Sequence, residues 1–293
     1  MKDIRSFVKL FDLHVPSYKD FEYYKNQYAK LNRWKNIDQL VKLFQEAEEE
    51  IEDVFQYKMA KIDEVINYIK STRSFNELND DNLIPDLPIN KNIDFDEGKK
   101  YVSIDLRMAN WQVFKKYDPD FINELGDTYS DLLNKFQIHP IFHHSKHFRQ
   151  FIFGNVNPKK QVRAQRVIIE NLIKNLPQNN LNIEFIKWDE VIFSYGDIND
   201  IQFLKELDSS KFNVKIFNVK TEEDFRIHSY FDFNGNFIEK ELVGCNGHKY
   251  FILLKKYIVN EPLDIRDLYF RCDGDLAIWS VDNLKINLDG NVR

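Results

Sequence analysis

Three acidic residues stand where short apolar runs end. Asp105 follows Tyr101-Val102-Ser103-Ile104, and Asp189-Glu190 divides the run that opens at Ile183 from Val191-Ile192-Phe193. Runs of this length and β-branched content read as buried strands. Carboxylates delivered by neighbouring strands cannot all ionise comfortably unless a cation sits between them. Mg²⁺ suits that position, because it takes one or two carboxylates together with substrate phosphates. Two such ions about 3.5–4 Å apart clamp the attacking and leaving oxygens of an in-line displacement. The chemistry these acids point to is metal-assisted phosphoryl transfer, with Mg²⁺ or Mn²⁺ held by Asp105 and Asp189. The plainer alternative makes Asp105 only a cap for the helix that follows.

A second set of residues carries the opposite charge. From Leu132 to Ile169 there is no acid, while Lys135, Lys146, Arg149, Lys159, Lys160, Arg163 and Arg166 all fall there, with His143, His144 and His147 among them. In a chain of net charge −6 that segregation suits a surface that meets phosphates. If residues 145–154 are helical, Lys146, Arg149, Phe153 and Gly154 lie close to one face. Lys146, Arg149, Lys159 and Lys160 are then candidates for a triphosphate, Phe153 for stacking on a base, and Arg163 and Arg166 for the nucleic acid. The histidines have no Cys or acid at ligand spacing, so a zinc site is not expected. Asp273-Gly274-Asp275 reads as a turn rather than a calcium loop.

Behind these residues stand the elements that must position them. Residues 1–16 read as a short strand or helix ended by Pro16, and Ser17 suits an N-cap for a Tyr-rich helix to about Leu31. Apolar residues recur at helical spacing from Asn36 to about Arg73, with an acidic block at 46–53 as a solvated face. Asn79-Asp80-Asp81-Asn82, Pro85, Pro88 and Gly98 break every period and form a connector. After Arg107, Met108, Trp111, Val113 and Phe114 suit an amphipathic helix, and a second helix is expected from about Asp120 to Phe136. Another helix starts near Pro158 and ends before Pro177. Val214 to Val219 reads as a strand, and Arg226–Phe233 with Asn236–Val243 as a hairpin through Asn234-Gly235. Tyr250–Tyr257 is a strand or short helix, and the segments around Leu268–Arg271 and Leu276–Val281 read as β. The expected division is a helical region at 1–78, a connector at 79–100 and an α+β domain at 101–293.

Composition narrows the function classes. Hydrophobic residues make up 43% and charged residues 30% of the 293, with only nine Gly and eight Pro, so the chain folds and buries a core. The acidic balance argues against a simple polycation that coats nucleic acid. Cys245 and Cys272 stand far apart without a CxxC partner, which supports neither a disulfide framework nor a structural zinc site. MKDIRSFVKLFDLHVP is charged throughout and lacks an apolar signal core, and no run approaches the ~18 apolar residues of a membrane span. The expected setting is the cytoplasm, with no membrane partner. Heavy use of Phe, Tyr, Asn, Lys and Ile resembles the residue usage of AT-rich genomes, such as those of low-GC bacteria, phages and large DNA viruses, and for a phage or virus the host cytoplasm is expected.

The order and character of the three stretches resemble motifs A, B and C of the family A nucleic-acid polymerases and their single-subunit RNA polymerase relatives. Ser103-Ile104-Asp105-Leu106 resembles the strand carrying the first metal-binding aspartate. Arg149 followed by Phe153-Gly154 is similar to the motif B helix, and Trp188-Asp189-Glu190-Val191-Ile192-Phe193 to the hairpin bearing the second aspartate. The resemblance covers residues 101–195, with Arg149 where that family has lysine and Trp188 where it has histidine. It implies a palm-like antiparallel sheet with flanking helices, a thumb-like N-terminal helical region, catalytic Asp105, Asp189 and Glu190, and nucleoside triphosphates and a DNA or RNA end as substrates. A protein partner through the N-terminal helices is also expected. Ser145-Lys146-His147 resembles instead the Ser-x-His motif of archaeo-eukaryotic primases, although Arg107 stands where that family has a second acid. Glu184 and Lys187 as nuclease companions to Asp105 are spaced one residue too far apart. A non-catalytic nucleic-acid-binding or assembly protein, using the basic segment alone, is a reading of a different class.

Overall fold

The computed structural model describes residues 1–71, 87, 93–177, 180–245, 247–272 and 274–279. The connector residues Asn79–Asn82, Pro85 and Pro88, and the strand expectation beyond Trp279, lie outside them. The architecture is α+β, with N-terminal helices and a six-stranded antiparallel sheet flanked by helices.

The chain forms two compact units, one of residues 1–52, 219–229 and 239–293, the other of 53–218 and 230–238. This differs from a boundary at 78–100. Helix α4 (Val54–Ser71) belongs with the residues after the connector, because it packs against them: the Tyr57 ring stacks on Phe142, Tyr57 donates to the Gln137 carbonyl, and Lys61 donates to that of Phe136. The long periodic segment is also two helices, α3 (Ile37–Glu50) and α4, with Asp53 accepting hydrogen bonds from the Phe55 and Gln56 amides at the start of the second.

In the first unit, α1 (Ile4–Leu10), α2 (Phe21–Ala29) and α3 enclose an aromatic core in which Phe7 meets Phe11, Phe21 and Phe44. Late residues complete it, with Phe251 tilted on Tyr24 and the Asp267 carboxylate accepting from the Tyr23 hydroxyl.

The second unit holds the centre of the sheet. Strands β1 (Lys100–Leu106), β2 (Leu181–Ile186), β3 (Glu190–Tyr195), β4 (Phe212–Thr221), β5 (Arg226–Phe231) and β6 (Phe237–Val243) lie in the order β2-β3-β1-β4-β5-β6. A separate pair, β7 (Tyr269–Cys272) and β8 (Asp275–Ile278), lies in the first unit. β1 is antiparallel to both neighbours, with Asp105 opposite Glu190 on one side and Asn213 on the other. Directly opposed residues share a face, and the face alternates along each strand. One face therefore carries Val102, Ile104, Val191 and Phe193, all buried. The other carries Ser103, Asp105, Glu190, Asn213 and Lys215. Further along, this second face is buried too, by Tyr101, Ile192 and Phe217, and it is polar only toward the Asp105–Glu190 end.

After β1 come α5 (Ala109–Tyr117), α6 (Pro119–Leu125), α7 (Tyr129–Lys135), α8 (Lys146–Gly154) and α9 (Pro158–Asn175). The single helix expected over 120–136 is broken at Gly126. Its φ of +110° suits only glycine, and a Cβ there would sit 2.5 Å from the Cβ of Asp131. Asp131 in turn closes a capping box with Thr128 that starts α7.

Candidate active site

β1 ends at the polar seam. The Leu106 amide donates to the Asp189 carbonyl at 2.7 Å, and the Arg107 amide to that of Lys211 at 2.9 Å. The chain then turns through Met108, held left-handed at φ +50°, into α5. Asp105 is thus the last outward-facing residue of a central strand, held by pairing on both edges rather than by capping the helix. Met108, not Asp105, occupies the N-cap position.

The hairpin expected around Asp189-Glu190 is present. The Lys187 amide donates to the Glu190 carbonyl at 2.8 Å, leaving Trp188 and Asp189 as its two-residue loop. Glu190 opens β3 directly across from Asp105, and the Ser103 hydroxyl donates to its carboxylate at 2.6 Å. Ser103 reaches Glu190 because it stands two residues before Asp105, on the same face.

The electrostatics agree with this convergence. Burial, then the charges of Asp189 and Glu190, push the Asp105 carboxyl up to about 6, against partial relief from Lys215 and Lys146. The proton held there marks a place where added positive charge would be favourable. Among the described residues no group of three or more His, Cys, Asp or Glu converges to hold a metal on protein ligands alone. A hard divalent ion shared between one or two of these carboxylates and substrate phosphates needs no such group.

Of the basic segment, Lys146 is the residue whose charge acts on Asp105. It is exposed at the first position of α8, whose N-cap Ser145 is buried and accepts from the Phe148 amide. One turn on, the half-buried Arg149 guanidinium lies 5.9 Å from the centre of the Tyr129 ring. Burial makes its charge harder to keep, and no carboxylate among the described residues pairs with it. A half-buried cation of this kind suits an anionic ligand. Beneath it the Tyr129 hydroxyl is buried with no hydrogen-bond partner.

The other expected residues separate into surface and interior. Lys159 and Arg163 are exposed on α9, and Lys160 is largely buried. Phe153 is a correction: its ring is buried against Phe114 and Tyr129, so it is core and cannot stack on a base. Arg166 is a second correction. It has no exposed surface, pairs with Glu170 at 3.0 Å, and donates to the carbonyls of Lys187 and Leu87. Its role is internal, at the base of the Asp189 hairpin. Helical periodicity marks a face but not what covers it, which is why both residues read as ligand contacts in the sequence.

Lys215 and Ser103 had no role assigned from sequence. The signal for each is strand alternation, which puts Lys215 of β4 and Ser103 of β1 on the carboxylate face.

No protein-family model matches the sequence, and no curated protein matches it. Among the described residues no helix is long and apolar enough to cross a membrane.

Proposed function

We propose that the chain is a Mg²⁺- or Mn²⁺-dependent nucleotidyltransferase of nucleic-acid polymerase type, adding nucleotides to a DNA or RNA end. The observation that carries this reading is the pairing of Asp105 with Glu190 across adjacent central strands, with Asp189 at the neighbouring turn and Lys146 near enough to act on the Asp105 charge. Asp105 and Asp189 are the residues that would hold the ions, and their oxygen donors fit hard divalent cations. When bound, the ions supply Lewis-acid stabilisation to the transferring phosphate. The chain's own part is positional and electrostatic. Asp105 is fixed at the end of a doubly paired strand, and Ser103 orients the Glu190 carboxylate. Lys146 and Arg149 offset charge on the triphosphate, and Lys215 favours the ionised form of Asp105.

A primase-polymerase-like enzyme is the second reading, and one observation favours it. The start of α8, Ser145-Lys146-His147, is the part whose charge reaches Asp105, whereas Phe153 near its end is core.

The test is extension of a labelled primer, with and without template, in each dNTP and NTP with Mg²⁺ or Mn²⁺. Metal-dependent extension lost in Asp105→Ala and Asp189→Ala supports the reading, and products made without a primer favour the primase-like form. Absence of extension by the wild type under every condition, with unchanged nucleic-acid binding in both variants, overturns it.

A further inference from the structure

With Phe153 enclosed in the core, the aromatic that the sequence offered for a base cannot serve. The hairpin beside the acids supplies another. Trp188, in the two-residue loop directly before Asp189, is 38% exposed. Among the described residues its ring meets no other aromatic ring, and its indole N–H has no hydrogen-bond partner. Turn chemistry does not call for it either. Tight hairpin loops favour small residues that take positive φ, and neither Trp188 nor Asp189 has one. Single exposed apolar residues are ordinary on a protein surface. This one is held at a fixed place next to the carboxylates, in a loop tied at three points. Arg166 donates to the Lys187 carbonyl at 2.8 Å, and the Lys187 amide to the Glu190 carbonyl at 2.8 Å. The Leu106 amide, one residue past Asp105, donates to the Asp189 carbonyl at 2.7 Å.

We propose that the Trp188 indole is a stacking platform for a nucleobase of the substrate held at Asp105 and Asp189. The platform rests on the proposed function for what those carboxylates take. Stacking on an aromatic ring needs no charge, and every base has a π-face to offer. The acids therefore do not oppose this occupant: the phosphates meet them through a divalent ion, and the base lies on the indole. Lys187, exposed and opposite Glu190 on the carboxylate face, adds the cation that such sites set beside their aromatics. The three ties give the ring a fixed mount, so little freedom is lost when a base settles on it.

The experiment measures equilibrium binding to the full chain in Mg²⁺. Calorimetry follows ATP, dATP and inorganic tripolyphosphate, and anisotropy follows labelled 12-nucleotide dT and U oligomers. Trp188→Ala is expected to weaken binding of a base-bearing ligand about tenfold, while tripolyphosphate, which has no base, binds as it does to the wild type. Trp188→Phe keeps a ring and most of the affinity, and is expected to lose the quenching of tryptophan fluorescence that the bound base causes in the wild type. Weakening confined to the triphosphates assigns the platform to the incoming nucleotide, and weakening confined to the oligomers assigns it to the nucleic-acid end; either supports the proposal. Wild-type affinity of Trp188→Ala for every base-bearing ligand overturns it, and so does an equal loss for tripolyphosphate. Metal-dependent primer extension by that variant at the wild-type KM then leaves the proposed function standing. Trp188-dependent binding by a chain that extends no primer has the opposite meaning: the platform stands and the nucleotidyltransferase falls. No binding of any ligand by the wild type overturns both. A change in the sedimentation of Trp188→Ala with unchanged ligand binding overturns the platform and makes Trp188 a contact between copies of the chain. If Trp188→Ala does not fold, the fluorescence decides, with full quenching in Trp188→Phe counting against the proposal.

Discussion

Asp105 and Glu190 face each other across β1 and β3, at the polar end of a sheet face that Tyr101, Ile192 and Phe217 bury further along. Residues directly opposed in an antiparallel pair have Cβ atoms only about 4.5–5.5 Å apart, so like charges there are unfavourable. The sheet accepts that strain because Ser103 donates to Glu190 and because Lys146 and Lys215 partly offset the charge on Asp105. Such a pair gains most from a bound cation.

The folded state holds the Asp105 proton up to about pH 6, whereas an unperturbed aspartate releases it near 3.8. Folding therefore gains from this proton below pH 3.8, and that gain is lost as pH rises through about 6. At pH 7 the charged Asp105 costs on the order of 1–3 kcal/mol. Asp105→Asn should thus melt higher than the wild type at pH 7–8, with the difference closing toward pH 4. Mg²⁺ should raise the wild-type melting temperature and leave the variant's unchanged. Thermal unfolding across pH 4–8, with and without Mg²⁺, checks both points. Parallel pH profiles for the two proteins would count against a carboxyl strained by its neighbours.

Ser103→Ala tests the orientation of Glu190. The hydroxyl is buried and its hydrogen bond is charge-assisted, so its loss should destabilise the fold by about 1–2 kcal/mol. If Glu190 belongs to the site, the Mg²⁺ concentration for half-maximal extension should also rise, while primer affinity holds. Stability loss with an unchanged Mg²⁺ dependence would confine Ser103 to structure.

Most of the site was legible from strand alternation and turn chemistry. Asp105 and the Asp189-Glu190 hairpin follow from short β-rich runs broken by acids, and α8 and α9 from helical spacing with Asn-Pro punctuation. What the sequence could not show was depth. Arg149 and Arg166 look alike as basic residues on helical faces, yet one lies half-buried over Tyr129 and the other is wholly enclosed beside Glu170. Phe153 shows the same limit of spacing, since an aromatic on a helical face can meet a ligand or, as here, Phe114 and Tyr129 in the core. The unit boundary near residue 53 was hidden because the period continues across Ile51–Asp53, and only packing assigns α4 to the second unit.

Gly126→Ala should destabilise the protein more than an ordinary loop substitution. At φ +110° and ψ 169° an L side chain is strained, and the new Cβ would meet the Asp131 side chain that closes the Thr128 box. Strain and lost capping together should cost about 2–4 kcal/mol. Thermal melts of Gly126→Ala and Asp131→Ala, singly and combined, measure it. A combined effect well below the sum would show that the glycine works through Asp131.

Arg166 offers the sharpest contrast between a nucleic-acid contact and an internal brace. Its guanidinium pairs with Glu170 and ties the Lys187 carbonyl, at the base of the Asp189 loop, to the Leu87 carbonyl. Removing one member of a buried ion pair leaves the other charged and desolvated, at a cost of about 3–5 kcal/mol. Arg166→Ala and Glu170→Ala should therefore each lower the melting temperature steeply, and Arg166→Met with Glu170→Met together should recover part of the loss. Arg163→Ala, at an exposed residue of the same helix, should cost far less than either alanine substitution of the pair. If Arg166 braces the hairpin, the double Met variant should fold and bind nucleic acid normally, yet extend primers more slowly, because Asp189 is less firmly placed. Loss of nucleic-acid affinity in that folded variant would return Arg166 to the binding surface and undo its assignment to the interior.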